Sequence, residues 1–219
     1  MDWLKRVGVL ICMLVLPVLQ VESATLDWFK IGELPKGKTA EIGSAPSVTG
    51  AFLGVHNDAL ILAGGENFTH SEPLGEFQDS IWVATRTRGT DTGGDSQTAT
   101  RTSQLIWHNV TETLPSKLAH GASASHALGV FVVGGTDGVS PRSDVHLLRW
   151  NKVSRQVELL TLPALPDAGV NGGAAVIHDH LYVILGSDGA SAAGALYSLD
   201  LSDIQINADG SPVVADGTV

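Results

Sequence analysis

Apolar residues in this chain come in short runs separated by glycine, asparagine, aspartate and serine, with no helical stripe between them. Three of the runs share a frame. The first reads His56-Asn57-Asp58-Ala59-Leu60-Ile61-Leu62-Ala63-Gly64-Gly65, the second His126-Ala127-Leu128-Gly129-Val130-Phe131-Val132-Val133-Gly134-Gly135. The third is His178-Asp179-His180-Leu181-Tyr182-Val183-Ile184-Leu185-Gly186-Ser187. In each, a strand of small residues precedes the histidine, a polar turn follows it, and an apolar strand runs to a glycine. A frame repeated in this way is one supersecondary unit used several times, so it is read before any single residue is given a role.

The rest of each unit follows from its flanks. In the first, residues 48–55 and 59–63 are the predicted inner strands, 66–79 a loop, 80–85 a third strand and 104–110 a fourth, which ends at Leu114-Pro115. The segment 86–102, rich in Thr, Gly and Asp, reads as a surface insertion. The second unit repeats the order at 120–125, 130–133, 144–150 and 157–162, with a loop at 136–142. The third has strands at 170–177, 181–185 and 195–201, and residues 202–219 predict no fourth strand. Before the first unit, residues 26–35 predict one more strand, stopped by Pro35, which has no amide proton to give a ladder.

Four antiparallel strands recurring every ~40 to 50 residues is the pattern of propeller blades. The glycine pairs have a physical reason there. A strand leaving the crowded centre needs close backbone approach and positive φ, which glycine accepts without strain. A parallel α/β fold would need amphipathic helices between strands; a β-sandwich would not explain the fixed register of histidine, apolar run and glycine. The predicted organisation is therefore 48–116 for the first blade, 117–166 for the second and 167–219 for a third, incomplete one, after a connection at 24–47.

Composition narrows the function. A net charge of −10 leaves no basic stripe for phosphates, so no nucleic-acid partner is expected. Lys5 and Arg6 followed by the apolar stretch 7–19 and by Val21-Glu22-Ser23 read as a signal peptide over residues 1–23. An uncleaved anchor is the rival reading. Cleavage would leave no stable membrane insertion and a periplasmic or secreted protein. It would also remove Cys12, the chain's single cysteine, and with it any disulfide or thiolate chemistry.

The unit itself, an apolar strand closed by Gly-Gly with an aromatic further on, resembles the kelch repeat: Gly64-Gly65 with Trp82 and Trp107, and Gly134-Gly135 with Trp150. The run from Gly50 to Phe68, read with the strand at 26–35 before it, resembles the N-acetylneuraminate epimerases, the sialic acid mutarotases, in their cyclically permuted branch. That resemblance implies a kelch-type β-propeller of six blades, of which about three stand here. It implies a sugar substrate, sialic acid, with no cofactor, and interconversion of its α and β anomers by general acid–base catalysis. It places the family's proton-accepting glutamate, followed by an arginine, in a later blade, at a motif to which no position here corresponds. A non-catalytic kelch module that binds glycan or protein is the alternative, since kelch repeats serve enzymes and binding proteins alike.

Candidate residues follow the glycine stops, because a propeller site is assembled from equivalent loops around its axis. Glu66 is the candidate acid or base, and Asn67, Asp137, Arg142 and Asp188 are candidates for holding substrate, with Arg142 suited to a carboxylate. The same residue types are also turn formers. His178 and His180 would share a face on a strand, as metal ligands do. Their place in the repeat, matching His56 and His126, instead predicts hydrogen bonds to the local backbone, so no metal is assigned. No Gly-x-Ser-x-Gly elbow or phosphate-binding loop occurs. Two unpartnered lateral faces would remain on a three-blade array, so either two copies pair or the isolated chain is poorly soluble.

Overall fold

The computed structural model describes residues 33–34, 48–69, 72–87, 105–186, 194–209 and 212–214. The predicted signal segment, the insertion beyond residue 87 and Asp188 lie outside the described residues, as does most of the predicted strand at 26–35. Among the described residues every regular element is a β-strand and every sheet is antiparallel, in the arrangement of propeller blades.

The first blade is a four-stranded sheet of β2 (Phe52–His56), β3 (Ala59–Ala63), β6 (Ile81–Arg86) and β7 (Leu105–His108), in that order. Beside it stands a three-stranded sheet of β1 (Val48–Thr49), β4 (Glu66–Thr69) and β5 (Glu72–Phe77). The second blade is β8 (Ala122–His126), β9 (Gly129–Thr136), β10 (Pro141–Asn151) and β11 (Gln156–Leu162). The third has β12 (Val170–Ile177), β13 (His180–Gly186) and β14 (Leu196–Asp200). The hairpin of β15 (Ile204–Ile206) and β16 (Pro212–Val214) pairs with itself rather than with β14.

Three expectations need correction. The strand predicted at 48–55 is two strands, because Gly50 sits at φ 63° and sends β1 to pair with β4. The loop predicted at 66–79 is the β4–β5 hairpin, with Glu66 opposite Phe77. Pro73 is tolerated because β5 is an edge strand, where a missing amide proton breaks no inner ladder. Third, Gly134-Gly135 does not stop its strand: β9 runs through to Thr136.

The glycine pairs are where one blade meets the backbone of the next. Gly64 and Gly65 have φ of 61° and 104°, Gly134 and Gly135 of 59° and 102°. The Gly65 amide donates to the Leu118 carbonyl and the Gly135 amide to the Gly169 carbonyl, both at 2.8 Å. A Cβ on Gly64 would stand 2.2 Å from the Leu118 oxygen, so no side chain fits.

Two apolar layers hold the blades face to face. One joins Phe52, Ile61 and Val83 of the first blade to Val130, Val132, Leu148 and Trp150 of the second. The other joins Phe131, Val133, Val145 and Leu147 to Leu181, Val183 and Leu185 of the third. Alternate residues of β9 thus feed opposite layers, which is why Val130-Phe131-Val132-Val133 is apolar without a break. In β3 and β13 only alternate residues are fully buried.

Candidate functional site

The three inner strands β2, β8 and β12 each have a residue in the left-handed region at their start, just before β2 and β8 and at the second residue of β12. These are Gly50 at φ 63°, His120 at 59° and Asn171 at 53°. Gly50 and His120 each stand six residues before the turn histidine of their unit, His56 and His126; Asn171 stands seven before His178, the extra residue lying in the register shift of β12. Their backbones form a chain across the blades: the His120 amide donates to the Gly50 carbonyl at 2.8 Å, and the Asn171 amide to the His120 carbonyl at 2.6 Å. Glycine and asparagine adopt such a φ readily, whereas a histidine there costs on the order of 1 kcal/mol. Something local must hold it.

The side chain of His120 shows what. Its Nε2 lies 2.9 Å from Oε2 of Glu66, the first residue of β4. A carboxylate only accepts, so the shared proton belongs to Nε2. Phe77, paired with Glu66 across the β4–β5 hairpin, presents an edge-on ring to the imidazole at a centroid distance of 6.2 Å. Gly50 lies against the other ring nitrogen: a Cβ there would stand 2.4 Å from Nδ1. Gly75, at φ 69°, lies against the carboxylate, where a Cβ would stand 2.1 Å from Oε1. The Glu66 side chain keeps only 11% of its exposure, that of His120 28%. The pair is therefore a sheltered carboxylate holding a more accessible imidazole.

The other predicted residues fall around this pair unequally. The loop after Thr136 packs Gly138 onto the Phe77 ring, where a Cβ would stand 2.7 Å from it, so the 137–142 turn and the Glu66 hairpin share one end of the array. Within that turn Asp137 Oδ1 accepts from the Val139 and Ser140 amides, both at 2.8 Å. Those amides hold its carboxyl below the usual range. Arg142 lies between two carboxylates, with Nε 2.8 Å from Asp144 and Nη1 3.5 Å from Asp137. The bond to Asp144 is the main reason its guanidinium binds its proton more firmly than usual. Both residues are thus engaged in their own turn. Asn67 lies in β4, half-buried, opposite Val48 and Glu76. The sequence pattern makes His120 the first residue of a small-residue strand and gives its side chain no role. Its place six residues before His126, matching that of Gly50 before His56, is the signal that marks a position of positive φ.

The repeat histidines do different things. His126 Nδ1 accepts from the nearby Leu128 amide at 3.4 Å, as predicted for a local contact. His56 instead reaches the next blade: the Trp150 amide donates to its Nδ1 at 2.9 Å. Burial, and then the charge of Arg149, lower its pKa. His178 occupies the β12–β13 turn at φ 54° and is exposed. At this opposite end of the inner strands lies a cavity of about 560 Å³ beside Asn57, Arg149, Trp150 and Lys152. Its polar groups are engaged in contacts: Asn57 donates to the Trp150 carbonyl, Lys152 pairs with Asp58, and Arg149 donates to the Leu128 carbonyl. Among the described residues no cluster of three or more His, Cys, Asp or Glu side chains is placed to hold a metal ion.

Comparison with curated proteins gives the fold a relative. Over 125 residues the chain is 32% identical to the N-acetylneuraminate epimerase of Vibrio cholerae, a match covering 57% of this chain and 30% of that protein. The chain is similar to the N-acetylneuraminate epimerases. Two further proteins of that name, from Brucella suis and Brucella melitensis, are 28% and 29% identical over 145 and 147 residues. Each of those matches covers 64% of this chain and 34% of the relative. The chain spans about a third of the length of the curated relatives it matches. No family model matches it.

Proposed function

We propose that this chain serves a sialic acid mutarotase, speeding exchange between the α and β anomers of N-acetylneuraminate by general acid–base catalysis. Its similarity to proteins named for that substrate supports the reading. The Glu66–His120 hydrogen bond at the entry to the inner strands supports siting the acid–base chemistry there. Mutarotation asks for little more. A base takes the proton of the anomeric hydroxyl, an acid protonates the ring oxygen, and the ring opens and recloses. The basic, apolar and small-residue order of residues 1–23 supports export to the periplasm or beyond. Association of two copies through the outer face of the third blade, where Ile177, Ile184 and Leu196 are exposed, belongs to the same reading. Sedimentation as a well-behaved monomer would contradict that part.

The test of activity is NMR of freshly dissolved α-N-acetylneuraminate with and without the full chain. Anomer exchange faster than in buffer is expected; an unchanged rate overturns the proposal. One observation favours a second reading, that of a glycan-binding kelch module. Arg142, the predicted partner for the sugar carboxylate, is already held by Asp137 and Asp144. Saturable binding of the sugar without faster exchange would support that module instead.

A further inference from the structure

We infer that His120, rather than Glu66, is the group that moves the proton, and that Glu66 is its positioning residue; this rests on the mutarotase reading above. Four observations place the imidazole in that role. It is the more accessible member of the pair, at 28% side-chain exposure against 11%. Its Nε2–H is committed to Glu66, which leaves the lone pair on Nδ1. The equivalent position in the first blade, Gly50, has no side chain, and one there would collide with Nδ1. Finally, the ring is fixed from several sides by Glu66, the edge-on Phe77 and the Gly50 backbone. A backbone in the left-handed region adds to that fixing, since it allows the side chain few alternatives.

The chemistry needs one shuttling base. The anomeric hydroxyl oxygen and the ring oxygen are bonded to the same carbon. The lone pair of Nδ1 takes the hydroxyl proton, the hydroxyl oxygen forms the ketone C=O, and the bond from the anomeric carbon to the ring oxygen breaks. The imidazolium then returns that proton to the ring oxygen, leaving the open-chain ketone and a neutral imidazole. Rotation about the adjacent carbon–carbon bond exposes the other face of the ketone, and the reverse steps close the ring as the other anomer. No proton, electron or co-reactant is consumed. Glu66 stabilises the transient imidazolium and fixes which nitrogen is free.

Two variants separate this role from that of a backbone pin. His120→Gly keeps the positive φ and both backbone hydrogen bonds while removing the ring. The mutarotation rate is expected to fall about 100-fold or more, at the low end of what general acid–base groups contribute. Added imidazole should restore part of that rate beyond its own catalysis in buffer. His120→Asn, which also accepts this φ, should be equally slow and should melt near the wild-type temperature. Glu66→Gln should slow the reaction and shift its pH profile, a readout that a packing role would not move. Wild-type rates in either His120 variant, or loss of rate with no rescue by imidazole, overturn the assignment of His120 and leave the mutarotase reading standing. No acceleration by the wild-type chain overturns both.

Discussion

The junction between the first and second blades and that between the second and third use one backbone lattice and different side chains. In both, a glycine amide reaches a carbonyl of the next blade, and the residue entering one inner strand bonds the residue entering the next. Both bury an apolar layer drawn from β9 and β10. Among the described residues the first adds a dense set of polar clips. Ser123 and Ser125 bond the backbone of Leu53 and Val55 on the edge strand β2, His56 and Asn57 bond Trp150, and Glu66 bonds His120. In the second, His126 turns back on its own hairpin and Asn171 contributes its backbone. The layers explain why blades stack. The clips make the first junction chemically distinct from the second.

That contrast can be broken at several strengths. The largest effect is expected in the layers, and in both alike. Phe131→Ala and Trp150→Ala remove fully buried side chains on either side of the second blade, and each should cost about 3–5 kcal/mol in denaturant unfolding. A large loss at one and little at the other would mean that the two layers are not equivalent. Next come the clips. His56→Ala leaves the buried Trp150 amide without its acceptor and should cost about 1–3 kcal/mol, whereas His126→Ala should stay within about 0.5. Equal losses would erase the distinction drawn between the junctions. Ser125→Ala, which frees the exposed Val55 amide to bond water, should cost about 1 kcal/mol or less.

The pH dependence is gentler and has a definite sign. Burial depresses the pKa of His56, His108 and His146 below the ordinary 6.5, so all three are neutral in the folded protein near neutrality. Once unfolded they bind protons below about pH 6.5 more readily than the folded chain does. Their contribution is fully present above that pH and is lost as pH falls toward their lower folded values. Melting temperatures recorded between pH 7.5 and 5 should decline, and His56→Gln should flatten part of the decline. A protein more stable at pH 5 than at 7.5 would contradict this.

The sequence showed the inner hairpins well, because an apolar run ending in Gly-Gly at positive φ has few other uses. It also showed the second blade's burial, since Val130-Phe131-Val132-Val133 is apolar on both faces. It hid the β4–β5 hairpin, where Pro73 and Gly75 look like a loop and are tolerated only because β5 is an edge. It showed Glu66 but hid its partner His120. Glu66 and His120 meet through the packing of a side hairpin against the next blade's entry, and no local pattern encodes that contact. Asp137 is legible in the sequence both as a turn former and as a substrate contact; in the structure its Oδ1 accepts from the Val139 and Ser140 amides of its own turn.

We predict that linked positions in the lattice differ in chemistry, with His120 moving the proton and Asn171 serving only as a backbone link. Mutarotation rates of His120→Asn and Asn171→Gly, measured with wild type in one NMR series, separate the two roles. A rate down about 100-fold in the first and within about twofold in the second is predicted. Equal rates in the two variants, whether both slow or both unchanged, would contradict it.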